Sequence, residues 1–142
     1  MKNILVPVDG SKGSNLAIKK AREIGELQNS KVTILNVVSN LMNNPYLLEH
    51  DYQLEINKVF SQQAQETLDK ALEFFEGYPG EVKTEVRLGD PAQEIIDEAD
   101  EGGYDLVVIG NRGLSAFSRV MMGSVSNRVL NHVKTSVFIV KE

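Results

Sequence analysis

Gly110-Asn111-Arg112-Gly113 and Gly123-Ser124 are the residues of this 142-residue chain whose types and spacing could do chemistry. Together they make the pattern Gly110-x2-Gly113-x9-Gly123-Ser124. The first glycine follows an apolar run, Leu106-Val107-Val108-Ile109. The last precedes a helical pattern of Val125, Val129, Leu130 and Val133. A strand, a glycine-punctuated loop and a helix start are the parts of an anion cradle. Glycine lets the backbone take φ > 0 and approach a ligand closely. The helix N-terminus adds unpaired N–H groups and the positive end of a dipole. The anion that suits this pattern is phosphate, and the pattern points to a nucleotide.

Four further side chains belong to this constellation. Arg112 is the cation inside the glycine loop. Its forked donors suit phosphate, and a solvated surface charge is the alternative. Ser124 reads either as a helix cap or as a phosphate partner, since both use the same donors. Ser126 lies two residues further along the same helix start. Asp9 ends the first apolar run, Ile4-Leu5-Val6-Pro7-Val8. It is either a turn former or an acceptor for a ribose hydroxyl or a divalent cation. His50 and His132 stand alone, with no metal-ligand spacing around them.

These residues need a frame, and the hydrophobic periodicity supplies one. Residues 4–8 read as a buried strand that ends at Asp9-Gly10-Ser11, with Pro7 at its last ladder position. Ser14 is the expected N-cap of a helix running to about Gln28, with Ala17, Ala21, Ile24 and Leu27 on its apolar stripe. Residues 31–38 form a second strand, and 39–50 a loop containing Asn43-Asn44-Pro45. Steps of three and four from Ile56 to Phe75 predict one long helix over 51–76. Residues 82–88 alternate as a half-exposed strand. Asp90-Pro91 opens a short helix, as cap and first helical residue, and Gly102-Gly103 closes it. Strand 105–109, the glycine loop, the last helix and strand 136–140 complete the alternation. Strands alternating with helices predict an open, doubly wound parallel α/β sheet, with ligands at the carboxyl ends of its strands.

Composition bounds the partners. The length suits one domain, 1–142. A net charge of −5 argues against nucleic acid and anionic membranes as primary partners. The chain has no cysteine, so disulfides and thiolate chemistry are excluded. The apolar stretch at the N-terminus is too short for a signal peptide or a membrane span, so the cytoplasm is the expected location.

Along its whole length the chain resembles the universal stress protein family. The resemblance is carried by Pro7-Val8-Asp9-Gly10-Ser11, by Leu88-Gly89-Asp90-Pro91 and, most specifically, by the glycine pattern followed by Val125 and Ser126. It implies a Rossmann-like, adenine nucleotide α-hydrolase-like sheet of five parallel strands in the order 3-2-1-4-5. It also implies the subgroup that binds ATP, with Mg²⁺ or Mn²⁺, as a nucleotide-dependent switch or sensor in the stress response. By position, backbone at Pro7, Val8 and Val38 would flank the adenine, and Asp9 would lie near the ribose and phosphates. Gly110, Arg112 and Gly113 would line the loop over the phosphates, and Gly123, Ser124, Val125 and Ser126 would cradle them. The final strand, 136–141, would pair in a homodimer and cover a long apolar sheet edge.

Two other functions are weighed against this one. A weak ATPase lacks support in the sequence, because no GxxxxGK[ST] pattern occurs and Asp9 is the one candidate base. A non-nucleotide signalling module, response-regulator-like or flavodoxin-like, would need an acidic pair or a hydroxyl- and glycine-rich loop after the first strand. Here the long glycine loop follows the fourth.

Overall fold

Five strands, all parallel, lie in the order β3-β2-β1-β4-β5. They are β1 (Asn3–Pro7), β2 (Lys31–Ser39), β3 (Val82–Gly89), β4 (Leu106–Gly110) and β5 (Ser136–Val140). Among the described residues, four helices connect them: α1 (Lys12–Glu26), α2 (His50–Glu73), α3 (Pro91–Glu101) and α4 (Ser124–His132). The computed structural model describes residues 2–39, 50–112 and 123–142. Of the expected loop over 39–50, Ser39 ends β2 and His50 starts α2, while residues 40–49, like Gly113, lie outside the described residues.

The period-two pattern of the strands sorts the core into two layers. Ile4, Val6, Val32, Ile34 and Val108 face α1 and α2, where Ala17, Ile18, Ala21, Leu68, Ala71 and Phe75 meet them. Leu5, Leu35, Val107 and Ile109 face α3 and α4, where Ile95, Ile96, Ala99 and Val129 meet them. Helices therefore cover both faces, and the chain reverses direction between β1 and β4. That reversal is the switch point at which open α/β sheets bind ligands. Pro7 closes β1 opposite Leu35, as its missing N–H requires.

Several boundaries differ from the sequence expectation: α2 spans His50–Glu73 rather than 51–76, β2 and β3 each run one residue longer, and α1 starts earlier. The N-cap of α1 is Ser11, whose Oγ accepts from Ser14 N at 3.1 Å. Ser14 is instead buried inside the first turn and returns its own hydroxyl to Ser11 O. The turn before it explains the early start. Asp9 Oδ1 accepts from Ser11 N at 2.9 Å, and Gly10 takes a φ of +83°. That turn delivers Ser11 to the cap position. Gly13, a poor helix former, then sits in the first turn because a side chain there has no room. A Cβ at residue 13 would lie 2.5 Å from the carbonyl oxygen of Arg112. At its other end α1 stops at Glu26, two residues before the expected Gln28.

Candidate functional site

The carboxyl ends of β1 and β4 and the N-terminus of α4 meet at the switch point. On the β1 side, Pro7 and Val8 are buried and Asp9 is exposed. The Val8 backbone is fixed twice. Its N–H donates to Leu35 O at 2.8 Å, and its carbonyl accepts from Asn36 Nδ2 at 2.8 Å. Asn36 was missed by sequence reasoning. Its signal is an amide inside the apolar strand Val32–Val38, a place where a polar side chain has to find a partner. Val38 is half-buried further along β2, opposite Leu88.

Asp9 does act as a turn former, through Oδ1. Oδ2 is what remains for a ribose hydroxyl or a cation. Among the described residues, no three His, Cys, Asp or Glu side chains converge as a metal cage.

On the β4 side, the first glycine of the pattern has a packing role that the sequence does not reveal. Gly110 does not have a positive φ; among the described residues Gly10, Gly77, Gly89 and Gly103 do. A Cβ at Gly110 would stand 2.7 Å from Gly13 O. Gly110 and Gly13 thus let the first turn of α1 pack directly on the end of β4. Gly123 likewise has ordinary angles, φ −64° and ψ 156°, and it is the N-cap of α4. Ser124 is consequently the first helical residue rather than the cap, and it is exposed.

Because Gly123 has no side chain, nothing from the cap residue competes for the N–H groups of the first turn. Two bonds hold that helix end to the stem of the loop. Gly123 N donates to Asn111 O at 2.7 Å, and Ser126 Oγ donates to Gly110 O at 2.6 Å. Ser126 is buried, so its hydroxyl points into the fold at this bond. Ser124 and Val125 stay nearer the surface.

Arg112 has a partner within the chain. Its Nη2 pairs with Glu142 Oε2, and its side chain is only 9% exposed. It is not a solvated surface charge.

A helix start whose cap residue has no side chain, beside a glycine-tightened strand end, has the dipole and backbone donors that attract anions in general. Comparison with known proteins says which kind of fold carries it. The model of the universal stress protein family matches residues 1–141.

The chain belongs to the universal stress protein family.

It is 32% identical over 144 residues to universal stress protein MJ0531 of Methanocaldococcus jannaschii, covering 99% of this chain and 82% of that protein. Among solved structures, the universal stress protein UspA from Lactobacillus plantarum superposes with a TM-score of 0.87 at 28% identity, covering 99% and 97% of the two chains. A universal stress protein in complex with cAMP gives a TM-score of 0.69 at 26% identity, covering 99% and 96%. The sheet order and the helices on both faces are those that the resemblance to this family implied.

Proposed function

We propose that the chain binds ATP, with Mg²⁺ or Mn²⁺, at the carboxyl ends of β1 and β4, and that it works as a nucleotide-dependent switch or sensor in the stress response. The observation that carries this reading is the glycine-capped N-terminus of α4, held against the end of β4 by Asn111 and Gly110. The polyphosphate would lie on the N–H groups of Ser124, Val125 and Ser126, with Gly123 giving it room. The base would lie against Pro7, Val8 and Val38, and Asp9 Oδ2 would face the ribose or the cation. Gly110, Arg112 and Gly113 would form the loop around the phosphates. The related structure that holds cAMP supports an adenine nucleotide as the ligand class.

The same reading makes the chain a single domain and a cytoplasmic protein. No helix among the described residues is long and apolar enough to cross a membrane. It also makes β5 the seam of a homodimer. β5 is an edge strand, and Phe138 on it is 41% exposed. A nucleotide becomes a switch only if a partner prefers one of the two states.

The direct test is to denature the purified protein and identify the released ligand by chromatography. Titration then compares variants. Gly123→Val places a branched side chain where the phosphates would lie and should lower ATP affinity sharply. Its backbone angles, φ −64° and ψ 156°, are open to valine. Ser124→Ala should cost at most about 1.5–3 kcal/mol, the scale of a charge-assisted hydrogen bond. Full affinity in both variants would remove the site.

A further inference from the structure

The stem of the glycine loop carries an ion pair whose acidic partner, Glu142, lies outside the residues assigned to the nucleotide. Asn111 N donates to Val140 O at 2.9 Å, which prolongs the β4–β5 ladder beyond its last pair, Gly110 with Val140. One residue further on, the Arg112 guanidinium meets the Glu142 carboxylate. The backbone of Arg112 lies against Gly13, where a Cβ would come within 2.5 Å of its carbonyl oxygen. Glu142 Oε1 would stand 3.7 Å from that same Cβ. Arg112 is therefore wedged between the first turn of α1 and the chain leaving β5.

Two buried atoms at this stem, Asn111 Oδ1 and Arg112 Nε, have no hydrogen-bond partner among the described residues. Unpaired buried polar groups cost free energy, so other contacts must hold the stem in place. Glu142 supplies the charged one. Without it, the buried guanidinium would lose its ion-pair partner as well, and such a group leaves for water. Asn111 would be drawn along, because it is the neighbouring residue. Its carbonyl is what Gly123 N bonds at 2.7 Å.

We infer that Glu142 is a positioning residue for the phosphate-facing end of α4, acting through Arg112, then Asn111, then Gly123. The inference rests on the nucleotide reading above. In this arrangement Arg112 serves the phosphates through the backbone that it anchors.

Calorimetric titration of the full chain with MgATP and, separately, with adenosine tests this. Adenosine lacks the phosphates and reads only the base and ribose pocket. Glu142→Ala should weaken MgATP by roughly three- to tenfold, the scale of a partly exposed charged contact, and leave adenosine unchanged. Glu142→Asp should restore most of the loss. Equal weakening of both ligands would show a merely structural role and overturn the inference. So would MgATP affinity equal to wild type. If Glu142→Ala does not fold, Glu142→Gln keeps the shape without the charge and gives the same comparison. A wild-type chain that binds neither ligand would sink the nucleotide reading and this inference with it. A wild type that binds MgATP, with Glu142→Ala indistinguishable from it, would sink this inference alone.

Discussion

At the scale of single residues, glycine has two uses here, and the sequence reveals only one of them. The pattern Gly110-x2-Gly113-x9-Gly123 predicts an anion-facing loop by spacing alone. It does not reveal that Gly110 is small because Gly13 packs on it. That contact spans 97 positions of sequence and exists only after α1 docks on β4. Glu142 was illegible for the same reason, since a charged residue near a strand end carries no local signal. Asp9 and Asp90 were legible because each acts within three residues, on Ser11 N and Gln93 N. The Gly13 contact yields a prediction of unusual sign. In an ordinary helix Gly→Ala stabilises by about 1 kcal/mol. Gly13→Ala should instead destabilise by roughly 1–3 kcal/mol, the cost of overpacking against a backbone carbonyl. Urea denaturation measures it, and a more stable variant would show that α1 does not press on the loop stem.

Among the elements, the helices were placed by the stripe each buries, and the central strands by short apolar runs buried on both faces. The boundaries moved where side chains cap or pin a turn, as at Ser11. The β1–β4 pairing, which creates the switch point, is pinned at its start by Asp105. Its carboxylate accepts from Lys2 N at 2.9 Å and Asn3 N at 3.0 Å. The bonds from the Asn3 and Lys2 backbones hold its pKa below the ordinary carboxylate value of 3.8. A group depressed in the folded state adds stability above its unfolded pKa and loses it as pH falls through the folded one. Asp105→Asn should therefore be less stable than wild type at neutral pH, and the gap should close in acid. Thermal melts from pH 7 down to about pH 2–3, spanning the carboxylate range, check this. A gap that does not change with pH would mean that the ionised carboxylate is not what pins the strand. Across the sheet, Arg87 joins β3 to α3 through Glu94 and Glu98, both at 3.0 Å, and Tyr104 adds its hydroxyl to Glu98 at 2.9 Å. Burial and then the neighbouring Glu98 carboxylate push the Tyr104 phenol well above its usual value, so it remains a donor throughout the physiological range.

For the molecule as a whole, strand order 3-2-1-4-5 puts the first and fourth strands side by side and leaves the fifth at an edge. The two-faced sheet followed from alternation alone, whereas the order came from family resemblance, because local periodicity carries no strand order. The edge leads to a prediction about assembly. Sedimentation should show a dimer for the wild-type chain and a monomer for Phe138→Lys, which puts a charge on the exposed face of β5. A wild-type monomer would contradict the dimer. The central claim is that backbone amides at the start of α4 hold a polyphosphate at the switch point. Amide-resolved NMR during a MgATP titration reads those groups directly. The amides of Ser124, Val125 and Ser126 should shift together with those of Val8 and Asp9, and saturate along one common curve. Saturable shifts confined to another part of the sheet, or no shifts at all, would contradict the account.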